Sequence, residues 1–182
     1  MTQNIRLACS CGKVHIEVEN EPIISTECHC NSCRTAGVRL QALGARSAVL
    51  AENGGTRFVL YRKDRVRFME GTEYLREFRL KPAAGTRRVV ATCCNTPVFL
   101  EFENGHWLSL YAGLWPDDAL PPLDLRTMTG DRADRADRAA LSGDVPSGTM
   151  ATVSFYARLL TAWIAMGFKS PKITVVKGEI HA

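Results

Sequence analysis

The sequence of 182 residues predicts a mainly β fold followed by a helical extension at its C-terminal end. Short runs of alternating apolar and polar residues recur through residues 4–115, and turns rich in glycine separate them. After Trp115 the composition changes, because three prolines precede a charged stretch and then an apolar one. We therefore expect a β domain over residues 1–120 and an extension over residues 121–182.

The strands are predicted in order from these runs. Apolar or alternating segments that favour strands lie at residues 14–18, 66–68, 73–81, 87–92, 98–102 and 107–111. Asn104-Gly105 lies between the last two runs, and this dipeptide is a strong hairpin signal. A short helix is expected to begin near Cys30. The pattern as a whole favours antiparallel sheets.

The extension contains a charged repeat and an apolar helix. Asp-Arg-Ala occurs three times over residues 131–139, which indicates a polar surface loop, mobile or partly helical. Residues 151–168 predict a helix whose only charged residue is Arg158. We expect its apolar face to be buried on the β domain or in a homodimer. The expected face contains Phe155, Leu159 and Trp163, and the neighbouring apolar positions at helical spacing are Tyr156, Leu160 and Ile164.

The charge and hydropathy patterns argue against several functional classes. The 23 basic and 19 acidic residues give a net charge of +4 and are intermixed, whereas a nucleic-acid-binding surface concentrates basic residues. No apolar run is long enough to span a membrane, and the first residues contain no apolar signal segment. We expect a cytoplasmic protein, in which thiols stay reduced.

All seven cysteines fall in three short clusters, which are Cys9 with Cys11, Cys28 with Cys30 and Cys33, and Cys93 with Cys94. Closely spaced thiols can converge on one soft cation such as Zn²⁺. Reduced, clustered thiols favour metal binding over disulfides. The spacing therefore predicts two zinc sites.

The first predicted site joins Cys9 and Cys11 to Cys93 and Cys94. Four thiolates complete a tetrahedral shell, so this site would be structural. Gly12 permits the turn that brings the first pair together. Neighbours in a strand point to opposite faces, so the adjacent second pair requires a sharp bend of the backbone. Two alternatives remain open, namely ordinary buried thiols and a redox-sensing vicinal pair.

The second predicted site consists of Cys28, Cys30 and Cys33. Three protein ligands leave a fourth position for water or a substrate thiol, and an open shell of this kind can also be vacant. Arg34 follows directly and is a candidate for holding a carboxylate. His29 lies between two ligands and is expected to point away from the metal.

The combined pattern of C-x-C-G, C-H-C-x-x-C-R and a late C-x-T-P resembles the family of glutathione-dependent formaldehyde-activating enzymes, which also contains centromere protein V-like domains. The resemblance covers about residues 5–115. It implies a β-tent of small antiparallel sheets with one structural and one exchangeable zinc. It also implies a carbon–sulfur lyase of the S-(hydroxymethyl)glutathione synthase type, which joins formaldehyde to the glutathione thiol.

The resemblance also assigns residues by position. The structural zinc ligands that it implies are Cys9, Cys11 and Cys94, and the reactive, catalytic site that it implies is Cys28, Cys30 and Cys33. The late family motif is C-x-x-C-G-[ST], but Ala91 occupies its first cysteine position here. Cys93 is the candidate for the missing ligand.

Two hypotheses of different classes follow. In the first, the protein is an enzyme that binds a small thiol such as glutathione at the open site. In the second, both zinc ions are structural, and the surface or the helix with Trp163 binds a protein partner. A pocket beside the second site favours the enzyme, and a fourth protein ligand favours the binding module.

Overall fold

A computed structural model describes residues 4–116, 118–132, 141 and 143–181. It confirms the predicted fold class, because the described chain is mainly β with a helix near its C-terminal end. The helices are α1 (Asn31–Ala42) and α2 (Gly148–Ala165). The strands are β1 (Asn4–Ala8), β2 (His15–Glu19), β3 (Ile24–Cys28), β4 (Thr56–Arg62), β5 (Val66–Glu70), β6 (Leu75–Phe78), β7 (Thr86–Ala91), β8 (Thr96–Phe102), β9 (Trp107–Tyr111) and β10 (Leu125–Thr127).

The smaller sheet has three antiparallel strands in the order β1-β2-β5. Ile16 and Val18 of β2 are buried, and the polar residues between them are more exposed. The alternation read from the sequence therefore places one face of this sheet against the core.

The larger sheet has seven strands in the order β10-β3-β4-β9-β8-β7-β6. All its pairs are antiparallel except the edge pair of β10 and β3. Residues 125–127 lie beyond the expected end of the β domain, yet they extend its sheet beside Cys28. The C-terminal extension therefore contributes to the framework around the second cysteine cluster.

Two apolar clusters form the core on different sides of the larger sheet. The first joins residues of both sheets, and Cys9 and Cys94 are part of it. The second joins the larger sheet to the two helices and includes Cys33 of α1. The two groups of cysteines therefore belong to different parts of the core.

Helix α2 packs with one narrow side. Leu159 is buried, Phe155 and Trp163 are half-buried, and the ring of Trp163 stacks on His106 at 5.6 Å. The predicted burial of this side is confirmed for Leu159 and in part for its two neighbours. The rest of the apolar stripe is more than half exposed in the single chain, and it consists of Tyr156, Leu160 and Ile164.

Replacing Trp163 with glutamate is expected to lower the melting temperature by about 4–10 °C. The substitution removes the stack on His106 and places a charge beside buried Leu159, which should cost about 2–3 kcal/mol. Thermal unfolding followed by circular dichroism measures the change. The control is Thr161→Glu on an exposed part of the helix, which should change little. Equal melting temperatures for Trp163→Glu and the unsubstituted protein would contradict this packing.

The charged repeat is described only at its first two residues, and positions 133–140 lie outside the described residues. Arg132 is buried, which differs from the surface position expected for the repeat. The reason is its hydrogen bonding to His29 and Asn53, described below. Among the described residues, no helix is long and apolar enough to cross a membrane.

Candidate metal centres

The thiols of Cys9, Cys11, Cys93 and Cys94 converge, with all four sulfurs within 4.8 Å of one another. The Sγ of Cys9 lies 3.6 Å from that of Cys11 and 3.8 Å from that of Cys93. The Sγ of Cys93 lies 3.5 Å from that of Cys11 and 3.9 Å from that of Cys94. A tetrahedral shell with zinc–sulfur bonds of about 2.3 Å has sulfur–sulfur edges of about 3.8 Å. The four donors therefore fit a tetrahedral ion of this size.

Two turns produce this convergence. Gly12 has a φ of 73°, and its amide donates to the carbonyl of Cys9 at 2.9 Å, which closes the turn after β1. Cys93 and Cys94 lie in the turn between β7 and β8, where Asn95 has a φ of 56°. The bend in this turn lets both adjacent cysteines face the same site, which a straight strand would not allow. The same convergence makes Cys93 a member of the site despite Ala91.

Hydrogen bonds around Cys94 favour its thiolate. Burial by itself raises the pKa of this thiol, but hydrogen bonds from Thr96, Ser10 and nearby backbone amides outweigh it and lower the pKa to about 6. Thr96 Oγ1 lies 3.1 Å from the sulfur and also bonds the hydroxyl of Ser10. Thr96 and Ser10 were not predicted, because hydroxyl residues beside cysteines are too common to be a signal. Their contacts suit a metal-binding thiolate.

The second group contains Cys28, Cys30 and Cys33, and their sulfurs also lie within 4.8 Å of one another. Cys28 ends β3, Cys30 is the N-cap of α1, and Cys33 lies in the first turn of that helix. The amide of Cys33 donates to Sγ of Cys30 at 3.3 Å. Across the described residues, no histidine, aspartate, glutamate or further cysteine joins this group. The donor set could hold a metal ion and would leave one tetrahedral position free.

His29 points away from the cluster, as predicted. It is fully buried, and its Nε2 bonds Oε1 of Glu27 at 2.9 Å. Nη1 of Arg132 lies 2.9 Å from Nδ1. Arginine can only donate, so Nδ1 accepts and Nε2–H donates to Glu27. Both ring nitrogens are therefore engaged and neither is free for a metal.

The same network attaches the C-terminal extension to the cysteine loop. Nε of Arg126 on β10 donates to Oε1 of Glu27 at 2.9 Å, and Asp131 accepts from the amide of Asn31 at the start of α1. Burial raises the pKa of Glu27, but hydrogen bonds from His29, Arg126 and Asn53 outweigh it and lower the pKa to about 2. The carboxylate is thus charged and fixed beside Cys28. We infer that β10 and residues 131–132 help to position the loop.

Negative charge in the second group concentrates on Cys30. Hydrogen bonds from Cys28 and Cys33, together with the positive charge of Arg88, lower the pKa of Cys30 far below its usual range against the effect of burial. The pKa of Cys28 rises, mainly through its hydrogen bond to Cys30, and that of Cys33 rises through its bonds to both other thiols. Within this group, Cys30 is therefore the thiol that most favours the thiolate form.

Two arginines lie near this group. Arg34, the residue predicted from the sequence, is half-buried in the first turn of α1. The Nε of its side chain lies beside Gly54. Arg88 of β7 was not predicted. It is buried, and its Nη2 donates to Ser32, which lies between Cys30 and Cys33. A single arginine in a strand carries no sequence signal of burial beside a site.

Tyr111 connects this group to a cavity. Burial raises the pKa of its hydroxyl, and Arg88 opposes that effect. The same side chain lines a cavity of about 160 Å³, together with Arg57 and the loop of residues 47–51. Cysteines are not part of the cavity lining. The cavity is therefore lined by Tyr111, which lies near the second group, but it is not lined by the sulfurs of that group.

The fold and the two thiol groups define a small β protein with two sites that could hold metal ions. The chain belongs to a family of unknown function, DUF6151, which matches residues 1–154. No curated protein matches the chain. The crystal structure of a Rhodobacter sphaeroides protein, a structural genomics target, is similar with a TM-score of 0.45 and 15% identity. That similarity covers 79% of this chain and 100% of the other.

Proposed function

We propose that this protein binds two zinc ions, one in a closed structural site and one in an open site that takes a small thiol. The observation that carries the proposal is the difference between the two donor sets. Cys9, Cys11, Cys93 and Cys94 supply four converging sulfurs, whereas the second group supplies three. A complete shell suits a structural ion, and an incomplete shell suits an ion that binds a ligand.

Thiol binding follows from the chemistry of the open site. A zinc ion held by three thiolates would lower the pKa of a thiol in the fourth position and keep it as a nucleophilic thiolate. Soft ligands are the donors that such a site accepts most readily. The protein's own part is to hold Cys28, Cys30 and Cys33 at the end of a strand and the start of a helix. His29 and Glu27 fix the loop between them.

The proposed reaction is the making or breaking of a carbon–sulfur bond. The sulfur of the thiol attacks the carbonyl carbon of an aldehyde, and the thiol proton ends on the carbonyl oxygen. With glutathione and formaldehyde the product is S-hydroxymethylglutathione, and no redox change occurs. This choice of substrates rests on the resemblance of the cysteine pattern to the formaldehyde-activating enzymes.

Glutathione is expected to bind the zinc-loaded protein with one molecule per chain and at least about ten times more tightly than S-methylglutathione. The methyl group blocks the thiolate, so only a metal–sulfur contact distinguishes the two peptides. Isothermal titration calorimetry measures both affinities. Cys30→Ser serves as the control and should bind neither peptide tightly. Equal affinity of the unsubstituted protein for both peptides, or none for either, would contradict thiol binding.

The second candidate is a zinc-stabilised module that binds a protein partner or a second copy of the chain. The exposed apolar residues of α2 favour it, since Tyr156, Leu160 and Ile164 are each more than half exposed. The open donor set favours the first candidate. A failure of both glutathione peptides to bind would place the module ahead.

A further inference from the structure

The buried, positively charged side chain of Arg88 lies beside the three-cysteine group and has no carboxylate partner among the described residues. Arg88 is 1% exposed on β7, and no carboxylate of the described chain forms an ion pair with it. Charged side chains are almost never fully buried unless they are paired. By contrast its neighbour Arg87 bonds both Glu77 and Glu101. The lack of an ion pair is therefore specific to Arg88 and is not shared by the neighbouring arginine of β7.

Two of the three guanidinium nitrogens of Arg88 have no hydrogen-bond partner. Nη2 donates to the carbonyl of Ser32 at 3.3 Å and to its hydroxyl at 3.0 Å, but Nε and Nη1 are buried and unpartnered. The thiol sulfurs do not accept from them either. Thr56, opposite Cys28 in the sheet, also has a buried hydroxyl without a partner. Buried donors that lack acceptors are costly. The hydroxyl of Tyr111 interacts with the Arg88 side chain, but no described residue accepts from Nε or Nη1, so an acceptor from a ligand would stabilise this side of the site.

A metal ion bound by the three thiolates would balance the charge of Arg88 but would not provide a hydrogen-bond acceptor for its N–H groups. Three thiolates and one divalent cation carry a net charge of −1, which the guanidinium of Arg88 offsets. Coulombic attraction of this kind leaves the N–H groups unbonded, because a hydrogen bond needs an acceptor atom at bonding distance. A carboxylate meets the need, since its oxygens accept charge-assisted bonds from guanidinium groups.

We propose that Arg88 binds the acidic group of a carboxylate-bearing thiol held at the three-cysteine site. The inference rests on the proposed function and adds the residue that recognises the carboxylate of the ligand. The thiol sulfur takes the open position of the shell, and the carboxylate takes the free donors of Arg88. Arg88 thereby distinguishes acidic thiols from neutral ones.

The test compares 3-mercaptopropionate with 3-mercaptopropanol, which share a carbon chain and a thiol and differ in the carboxylate. Calorimetry uses the zinc-loaded full chain, with metal analysis to verify two zinc ions in every variant. The unsubstituted protein should prefer the acid by about tenfold or more. Arg88→Met should bring the ratio of affinities close to one, and Arg88→Lys should leave an intermediate ratio. Arg46→Met removes an exposed arginine and should keep the full preference.

The outcomes separate the inference from the proposed function. If Arg88→Met binds both thiols but keeps the preference for the acid, the role of Arg88 is wrong and thiol binding stands. If the unsubstituted protein binds the two thiols equally, Arg88 does not recognise the carboxylate and the inference is wrong. If neither thiol binds, the proposed function is wrong. Acetate, which has a carboxylate and no thiol, then tests whether Arg88 binds a carboxylate. Acetate should then raise the melting temperature of the unsubstituted protein more than that of Arg88→Met or Arg88→Lys, and equal shifts would overturn the inference.

Discussion

Cys11→Ala is expected to abolish one of two bound zinc ions and to lower the melting temperature by at least about 10 °C. The four sulfurs bring together the turn after β1 and the turn between β7 and β8, so a metal ion bound there would link distant parts of the chain. Structural zinc contributes about 10–16 kcal/mol of apparent binding free energy in small domains, which is comparable with the whole stability of a protein. Metal analysis and thermal unfolding measure the two effects.

The comparison for this prediction is Cys30→Ser, which also removes one thiol ligand but at the other site. Both variants should lose one zinc ion, and only Cys11→Ala should lose most of its stability. Retention of two zinc ions and an unchanged melting temperature by Cys11→Ala would show that these four thiols do not form a metal site.

Cys30→Ser is expected to remove the second zinc ion and to abolish glutathione binding while the fold persists. Cys30 is half-buried at the N-cap of α1, and a serine hydroxyl still caps a helix, so the local structure should survive. We expect the melting temperature to fall by only a few degrees. If the protein accelerates exchange between formaldehyde and S-hydroxymethylglutathione, as measured by NMR, this variant should lose the acceleration.

Mild chelation gives the matching result without mutation. An open shell exchanges its metal faster than a closed one, so a brief treatment should remove at most one zinc ion and leave circular dichroism unchanged. Unfolding on loss of the first ion would assign that ion to the fold and contradict an exchangeable second site.

Six of the ten strands in the described residues were predicted from the sequence, and four were missed. The six predicted runs correspond to β2 and β5–β9, and the helix begins beside Cys30 as expected. Burial does not separate the predicted strands from the missed ones, because β3 and β4 are as buried as the predicted β8. Strand β3 was missed because Ser25, Thr26 and Glu27 give it neither an apolar run nor a regular alternation, and the short edge strand β1 and strand β4 were also missed. Strand β10 has three residues, too few for any period.

The side of α2 that packs was predicted only in part. Helical spacing identifies a broad apolar stripe, but it does not say how much of the stripe the neighbouring strands can cover. The structure buries Leu159 beside His106 and leaves Leu160 more than half exposed. Which side chains of α2 are buried depends on how wide a surface β10 and the loop with His106 form beneath the helix.

The sequence by itself indicated which cysteines could share an ion, because soft ligands at short spacings favour a few combinations. It also predicted that His29 points away from the second group, and the structure agrees because both ring nitrogens have hydrogen-bond partners. Only the tertiary structure decided that a turn brings Cys93 and Cys94 to one site and that Arg88 faces the open group. It also decided that Arg132 fixes His29 across about a hundred residues of chain. The physical reason is range: turns and ligand spacing act within a few residues, whereas burial of a charge depends on strands and helices that meet only after folding.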